Sequence, residues 1–92
     1  MANNQRVALV TGASRGIGAE VAKRLAKDGF AVAINYSSNQ QAAEAVQKEI
    51  EASNGVAAIF QANVASSAEV DRMFTDIKAK FGGIDVLINN AG

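Results

Sequence analysis

Four short apolar runs alternate with three stretches of helical periodicity along the 92 residues of the chain. The runs cover residues 7–10, 31–34, 56–60 and 84–88. Mainly apolar runs of this length are typical of strands in a parallel sheet that is covered on both faces. Strands that alternate with helices through right-handed crossovers form a layered α/β structure. We therefore predict the element order βαβαβαβ around a parallel sheet.

Helix signals occupy the stretches between these runs. A serine followed three residues later by Gln or Glu, as at Ser38 and Ser66, matches the capping box that begins a helix. Gly29, Gly55 and Gly82 stand where the three helices would end. The apolar face predicted for the first helix consists of Ile17, Val21 and Leu25, and that of the third consists of Val70, Phe74, Ile77 and Phe81.

Composition argues against several classes of function. Nine basic and nine acidic residues give a formal net charge of zero, whereas a nucleic-acid-binding domain would carry a basic excess. The chain has no cysteine and no histidine, so we expect no disulfide, no thiol nucleophile and no metal site. The polar start, Met1 to Arg6, lacks the apolar stretch of a signal peptide, and no run approaches a membrane span. We expect a cytoplasmic protein without membrane or nucleic-acid partners.

A glycine-rich turn, Thr11 to Gly18, lies between the first predicted strand and the first helix. A phosphate-binding turn needs residues without side chains, backed by the free N–H groups and partial positive charge of a helix N-terminus. Gly12 suits a tight turn, Gly16 a close ligand approach and Gly18 close packing of the helix. The spacing is G-x-x-x-G-x-G, and no Gly-Lys-Ser/Thr of a P-loop follows. The alternative is a turn that merely joins strand to helix.

The sequence TGASRGIG from Thr11 to Gly18 resembles the cofactor motif of the short-chain dehydrogenase/reductase family. Directly after the fourth run, Asn89 to Gly92 matches the second motif of that family, NNAG. The resemblance covers the whole chain and implies a Rossmann-type three-layer sandwich with four parallel strands in the order 3-2-1-4. Residues 1–92 then form a single dinucleotide-binding domain, truncated relative to the family.

The resemblance implies a nicotinamide dinucleotide as cofactor. Asn63-Val64 stands where the family usually has Asp-Val, and an Asn oxygen can still accept a hydrogen bond from the adenine amine. This pair also resembles the 3-oxoacyl-acyl-carrier-protein reductase branch. The predicted cofactor-binding residues are Gly12, Ser14, Arg15, Gly16, Ile17, Gly18, Tyr36, Ser37, Ser38, Asn63, Val64, Asn90, Ala91 and Gly92.

The end of the second predicted strand favours NADP over NAD. An acidic residue there typically holds the ribose hydroxyls of NAD, but Asn35 to Ser38 contain no carboxylate. Arg15 could pair with the additional phosphate of NADP, as basic residues at this place do in the family. The alternatives are that Arg15 is an exposed arginine without a ligand, and that Ser38 caps a helix.

The family's catalytic residues are absent from the chain. In the family a tyrosine transfers the proton, a lysine four residues later lowers its pKa, and a serine orients the substrate. The only tyrosine is Tyr36, and the residue four positions later is Gln40. We therefore predict no catalytic residue here, although the resemblance implies an NADP-dependent oxidoreductase that acts on a carbonyl or alcohol.

Three hypotheses follow: part of an oxidoreductase that is inactive alone, a nucleotide-binding module without turnover, or a self-associating structural piece. Other nucleotide-binding proteins of similar topology, such as methyltransferases, are a further alternative, although they lack the paired motifs. Residues 86–88 would form an unprotected sheet edge, which favours association between strands of different chains. We therefore predict a homo-oligomer that forms through the fourth strand.

Overall fold

The computed structural model describes residues 5–90, and within them four strands alternate with three helices. The strands are β1 (Val7–Val10), β2 (Ala31–Tyr36), β3 (Val56–Gln61) and β4 (Val86–Ile88), and the helices are α1 (Gly16–Lys27), α2 (Gln40–Ala52) and α3 (Ser67–Phe81). All paired strands are parallel, and their order is β3-β2-β1-β4. The predicted fold class and strand order are confirmed.

Side chains that alternate along β1 and β2 divide the core into two halves, one on each face of the sheet. The half against α1 and α2 includes Val10, Ala22, Val32, Ile34 and Val46. The half against α3 includes Leu9, Ala33, Met73 and Ile77. Burial on both faces explains why β1 is apolar throughout and why β2 is apolar over residues 31–34. The result is a three-layer sandwich. Among residues 5–90, no helix is long and apolar enough to cross a membrane.

Helix α1 packs on the sheet through its smallest residues. Gly18, Ala19 and Ala22 are its buried positions. The prediction that Ile17 belongs to the buried face was wrong, because 76% of this residue is exposed. The other two residues of the predicted face are partly buried against the core. Small contact residues bring the start of α1 close to the end of β1, and Ile17 lies at the surface beside the glycine turn.

The helices α2 and α3 begin at side-chain caps, one of which differs from the prediction. Asn39, not Ser38, caps α2, and its side chain accepts a hydrogen bond from the N–H of Ala42. Asn and Ser are comparable caps, so the capping-box pattern alone did not distinguish the two neighbours. Ser66 caps α3 as predicted and accepts a hydrogen bond from the N–H of Glu69.

The helix ends use left-handed residues, again with one difference from the sequence pattern. Gly29 (φ +100°) follows α1 and Gly82 (φ +90°) follows α3, as expected for glycine at helix C-termini. After α2, however, Asn54 takes the left-handed conformation with φ +66°. The next residue, Gly55, is needed for space, since an added Cβ would lie 2.6 Å from Cγ2 of Ile50.

Strand β4 is shorter than predicted and forms one edge of the sheet. It begins at Val86 rather than at residue 84, because the side-chain carboxylate of Asp85, and not a backbone carbonyl of a longer strand, accepts the hydrogen bond from the N–H of Val7. The N–H of Val7 donates to the Asp85 carboxylate at 2.7 Å, and the N–H of Asp85 donates to the Val7 carbonyl at 2.8 Å. On β4 itself, Leu87 is 52% exposed.

A surface ion-pair cluster joins α1 to α2. Lys23 lies 3.0 Å from a carboxylate oxygen of Glu20 and 3.1 Å from one of Glu49. The hydrogen bonds that Lys23 donates to these two carboxylates, the one to Glu20 first, raise the pKa of Lys23 above its ordinary value. Exposed pairs of this kind contribute little to stability, so the contact between α1 and α2 depends mainly on apolar packing.

Candidate dinucleotide site

The glycine turn and three loops lie at one edge of the sheet. Because the strands are parallel, the carboxyl ends of all four meet there. The strand order reverses at β1, since β2 and β3 follow on one side and β4 lies on the other. Ligands of open α/β sheets bind outside the strand carboxyl ends at such a point. The predicted site residues within the described range all lie in the turn or at these ends.

The three glycines of the turn have different structural roles. Gly12 (φ +61°) and Gly16 (φ +63°) adopt backbone conformations that other residues rarely take. A Cβ added to Gly16 would meet no atom within 4 Å, so its Cα borders open space. A Cβ added to Gly18 would lie 2.4 Å from the Gly12 carbonyl oxygen and 2.6 Å from Nδ2 of Asn90. Gly18 permits close packing of α1 on the turn, whereas Gly16 leaves room for a ligand.

The N-terminal end of α1 has the properties of an anion site. Arg15 precedes the helix in an extended conformation, and its side chain makes no capping hydrogen bond. The first N–H groups of a helix have no partner within it, and the helix dipole adds partial positive charge there. Arg15 and Ile17 are exposed, and Ser14 is half-buried. Backbone donors, a cation and open space fit the phosphate groups of a dinucleotide.

Residues after β4 hold the turn from outside the sheet. The Thr11 hydroxyl oxygen accepts a hydrogen bond from the N–H of Asn90 at 2.9 Å and lies 3.2 Å from Oδ1 of Asn89. The Asn90 side chain donates to the Gly12 carbonyl at 3.1 Å. These bonds span almost the whole described chain, and they join the two sequence motifs into one structural unit.

Asn35 is a site residue that the sequence analysis missed. It lies on β2 and is 1% exposed. Its side-chain oxygen accepts a hydrogen bond from the N–H of Gly12 at 3.1 Å, and its backbone oxygen accepts one from the N–H of Ala13 at 2.9 Å. A polar residue that follows four apolar ones in a buried strand is unusual, and this position was the available signal.

The end of β2 offers hydroxyl groups and no carboxylate. Ser37 and Ser38 are exposed, whereas Tyr36 is 8% exposed and packs in the core half against α1 and α2. Gln61 of β3 donates through its side chain to the Ser37 carbonyl at 2.8 Å and so supports this segment. The segment contains no negative charge that would repel a phosphate on the ribose.

The loop after β3 is fixed by bonds of Asn63. Its side-chain oxygen accepts a hydrogen bond from the N–H of Ala65 at 2.9 Å, and its own N–H donates to the Glu69 carboxylate at 2.8 Å. One lone pair of the Asn63 side-chain oxygen is already in use, and a carbonyl oxygen has two. The neighbouring Val64 is 40% exposed. The Asn63 side-chain oxygen therefore keeps one lone pair that can accept the predicted hydrogen bond from the adenine amine.

The described surface includes a groove that borders the site and a larger cavity away from it. A groove of about 330 Å³ beside β4 is lined by Thr11, Val64, Val70, Met73, Phe74, Leu87 and Asn89, and so borders the site. A larger cavity of about 660 Å³ lies between α1 and α2 near the start of β3 and contains none of the predicted site residues. The chemistry of the turn, not cavity size, locates the site.

Two further predicted cofactor-binding residues, Ala91 and Gly92, lie outside the described residues.

The fold, the turn and the bonds between the two motifs define an α/β protein of Rossmann type. Residues 6–92 match the short chain dehydrogenase family. The chain belongs to this family, as its two motifs predicted.

Curated relatives carry the same segment within longer proteins. A 3-oxoacyl-[acyl-carrier-protein] reductase of Staphylococcus epidermidis is 51% identical over 85 residues, which is 92% of this chain and 35% of that protein. One of Synechocystis is 53% identical over 87 residues, or 95% of this chain and 35% of that protein. The chain therefore spans about a third of the length of these relatives.

Solved structures give the same result for the fold. A dehydrogenase/reductase from Sinorhizobium meliloti superposes with a TM-score of 0.92 at 41% identity, covering 95% of this chain and 34% of the other. A metagenomic short-chain oxidoreductase, solved in complex with NADP, gives a TM-score of 0.89 at 39% identity, covering 95% and 39%. The chain is thus similar to a protein that binds this dinucleotide.

Proposed function

We propose that the chain binds NADP(H) and forms the cofactor-binding part of a short-chain oxidoreductase. The observation that carries the proposal is the start of α1, where Gly16 borders open space in front of a helix that has no side-chain cap. The backbone N–H groups of this turn would hold the pyrophosphate. When bound, the cofactor would supply hydride-transfer chemistry: its reduced form would donate a hydride to a carbonyl carbon, and its oxidised form would accept one from an alcohol carbon.

The preference for NADP rests on charge at two places. Arg15 is exposed and makes no ion pair with any residue in the 5–90 range, so its guanidinium can bind a phosphate on the ribose. The end of β2 carries Ser37 and Ser38 in place of an acid, which removes the usual partner of the NAD ribose. A similar protein crystallised with NADP supports the same choice.

The chain alone should bind cofactor without turning it over. Its only tyrosine, Tyr36, is buried, and Gln40 stands four residues later. The family's proton-transfer group therefore has no counterpart here, and neither has the lysine that adjusts its pKa. Relatives named as 3-oxoacyl-[acyl-carrier-protein] reductases support a ketone as the group that accepts hydride in the whole enzyme.

The test is calorimetric titration of the purified chain with NADPH and with NADH. A charge-assisted hydrogen bond to phosphate contributes roughly 1.5–3 kcal/mol, or about 10- to 150-fold in affinity. We expect NADPH to bind more tightly than NADH by a factor in this range. Arg15→Ala should remove most of that difference, because NADH lacks the phosphate.

Arg24→Ala is the matched control. Arg24 lies near the opposite end of α1 from Arg15 and is exposed, and its partner is Asp28 rather than a ligand. It should leave both affinities unchanged. Equal affinities of the unaltered chain for NADPH and NADH would refute the NADP preference, and binding of neither would refute the proposed function.

A further inference from the structure

The side chain of Asn35 is a buried amide in an otherwise apolar strand. The four residues before it, 31–34, are fully buried and apolar, and the Asn35 residue itself is 1% exposed. Burying an amide costs free energy unless its donors and its acceptor all find partners. The hydrogen-bond partners of the Asn35 amide therefore decide what this residue contributes to the structure.

The Asn35 amide connects the glycine turn to the loop after β3. Its oxygen accepts the hydrogen bond from Gly12, while its nitrogen lies 3.2 Å from the carbonyl oxygen of Ala62 and 3.3 Å from that of Phe60. The reverse amide orientation would place oxygen against two carbonyls and nitrogen against an N–H group. The network thus defines which way the side chain points.

Gly12 is consequently held on both sides of its Cα. On the β2 side, the Asn35 side chain accepts a hydrogen bond from the Gly12 N–H group. On the β4 side, the Asn90 side chain donates a hydrogen bond to the Gly12 carbonyl oxygen. With φ at +61°, Gly12 has the conformational freedom to reorient if one of these bonds is lost. The direction of the following N–H groups depends on that peptide, because they continue the same turn.

We propose that Asn35 is a positioning residue for the dinucleotide pyrophosphate. It holds the Gly12 peptide in the orientation that aims the rest of the turn at the ligand, and it sets the distance between this turn and the Asn63 loop. The inference rests on the proposed function, because it concerns the same ligand. Asn35 itself is buried and does not touch the cofactor.

Few other side chains could make these bonds. An ionised Asp could accept from Gly12 but would set its charge against the carbonyls of Phe60 and Ala62. Alanine would leave the Gly12 N–H group and both carbonyls without this partner. Only an amide of this length offers one acceptor and two donors in the arrangement observed.

The test compares Asn35→Ala with Ile77→Ala by NADPH titration and by amide hydrogen exchange. Ile77 is fully buried on the same α3-facing side of the sheet as Asn35, but its apolar side chain takes no part in the hydrogen bonds of the turn, so its truncation lowers stability without removing them. For Asn35→Ala we expect about tenfold or greater loss of NADPH affinity, the size associated with a buried donor left without its acceptor. The Gly12 amide should also exchange faster, while that of Leu9 stays protected.

Ile77→Ala should keep its NADPH affinity within about twofold, since loss of stability alone does not move the turn. Full NADPH affinity in a folded Asn35→Ala chain would overturn the positioning role but not the proposed function. Equal loss of affinity in both variants would also overturn it, because the effect would then follow stability. No NADPH binding by the unaltered chain would overturn the proposed function and this inference together.

Discussion

Replacement of Gly18 by alanine tests the packing of α1 on the glycine turn. The added Cβ would lie 2.4 Å from the Gly12 carbonyl oxygen, 2.6 Å from Nδ2 of Asn90 and 3.0 Å from Cα of Ala13. Two of these atoms belong to the backbone and cannot swing aside. Because real Cβ atoms essentially never approach another atom within 3.0 Å, the turn and the helix must move apart to accept this methyl group.

The expected cost of Gly18→Ala follows from two opposing effects. Overpacking of a tight contact costs about 1–3 kcal/mol. Alanine regains up to about 1 kcal/mol through its better helix propensity. The Gly12 contact is shorter than real Cβ contacts allow, so we expect a net loss of roughly 2 kcal/mol. For a domain of this size that lowers the melting temperature by about 8–16 °C.

Thermal unfolding followed by circular dichroism measures this loss directly. Gly83→Ala is the control, because a Cβ there meets nothing within 4 Å and Gly83 is not among the residues with positive φ. It should melt at or slightly above the temperature of the unaltered chain. A Gly18→Ala chain that melts within about 2 °C of the unaltered one would refute the close packing argued here.

Two further predictions concern the helix cap and the sheet edge. Asn39→Ala should lower the free energy of unfolding by about 1 kcal/mol and Ser38→Ala by much less, because Asn39 caps α2. Urea titration measures both free energies. A larger loss in Ser38→Ala than in Asn39→Ala would contradict the assignment of the cap. Leu87→Lys should reduce self-association through β4, because charge on an exposed edge strand opposes pairing. Light scattering checks this, and an unaltered chain that is already monomeric at high concentration would contradict the edge proposal.

The sequence pattern predicted the fold because its local and global signals agree. Continuous apolar runs require a sheet with two covered faces, and the helical stretches between them supply the covers. Strand β4 was predicted two residues too long, because pattern cannot show that the Asp85 carboxylate bonds to the start of β1. Neighbouring residues of similar capping ability, Ser38 and Asn39, were likewise indistinguishable without backbone conformation.

The sequence predicted the two motifs of the candidate site but not the hydrogen bonds that join them. TGASRGIG and NNAG identified the turn and Asn90, but the bond between Asn90 and Gly12 spans 78 positions, beyond any local pattern. The local pattern marks Asn35 as a polar residue in an apolar strand, but it does not show its hydrogen-bond partners, which lie 23 and 27 residues away. The exposure of Ile17 was missed because periodicity shows which residues share a face and not how closely the helix approaches the sheet.

The uncapped start of α1 would give the protein a thermodynamic link between its folding and the binding of the proposed nucleotide ligand. Asn39 and Ser66 cap the other two helices of the described chain, but Arg15 makes no such bond. A bound phosphate would complete the helix in place of a side chain, and it would do so only in the folded state. At a ligand concentration of 100 Kd, such linkage adds about 2.7 kcal/mol to the free energy of unfolding. The nucleotide concentration would then affect how long the folded protein persists, as well as the fraction of the protein that has nucleotide bound.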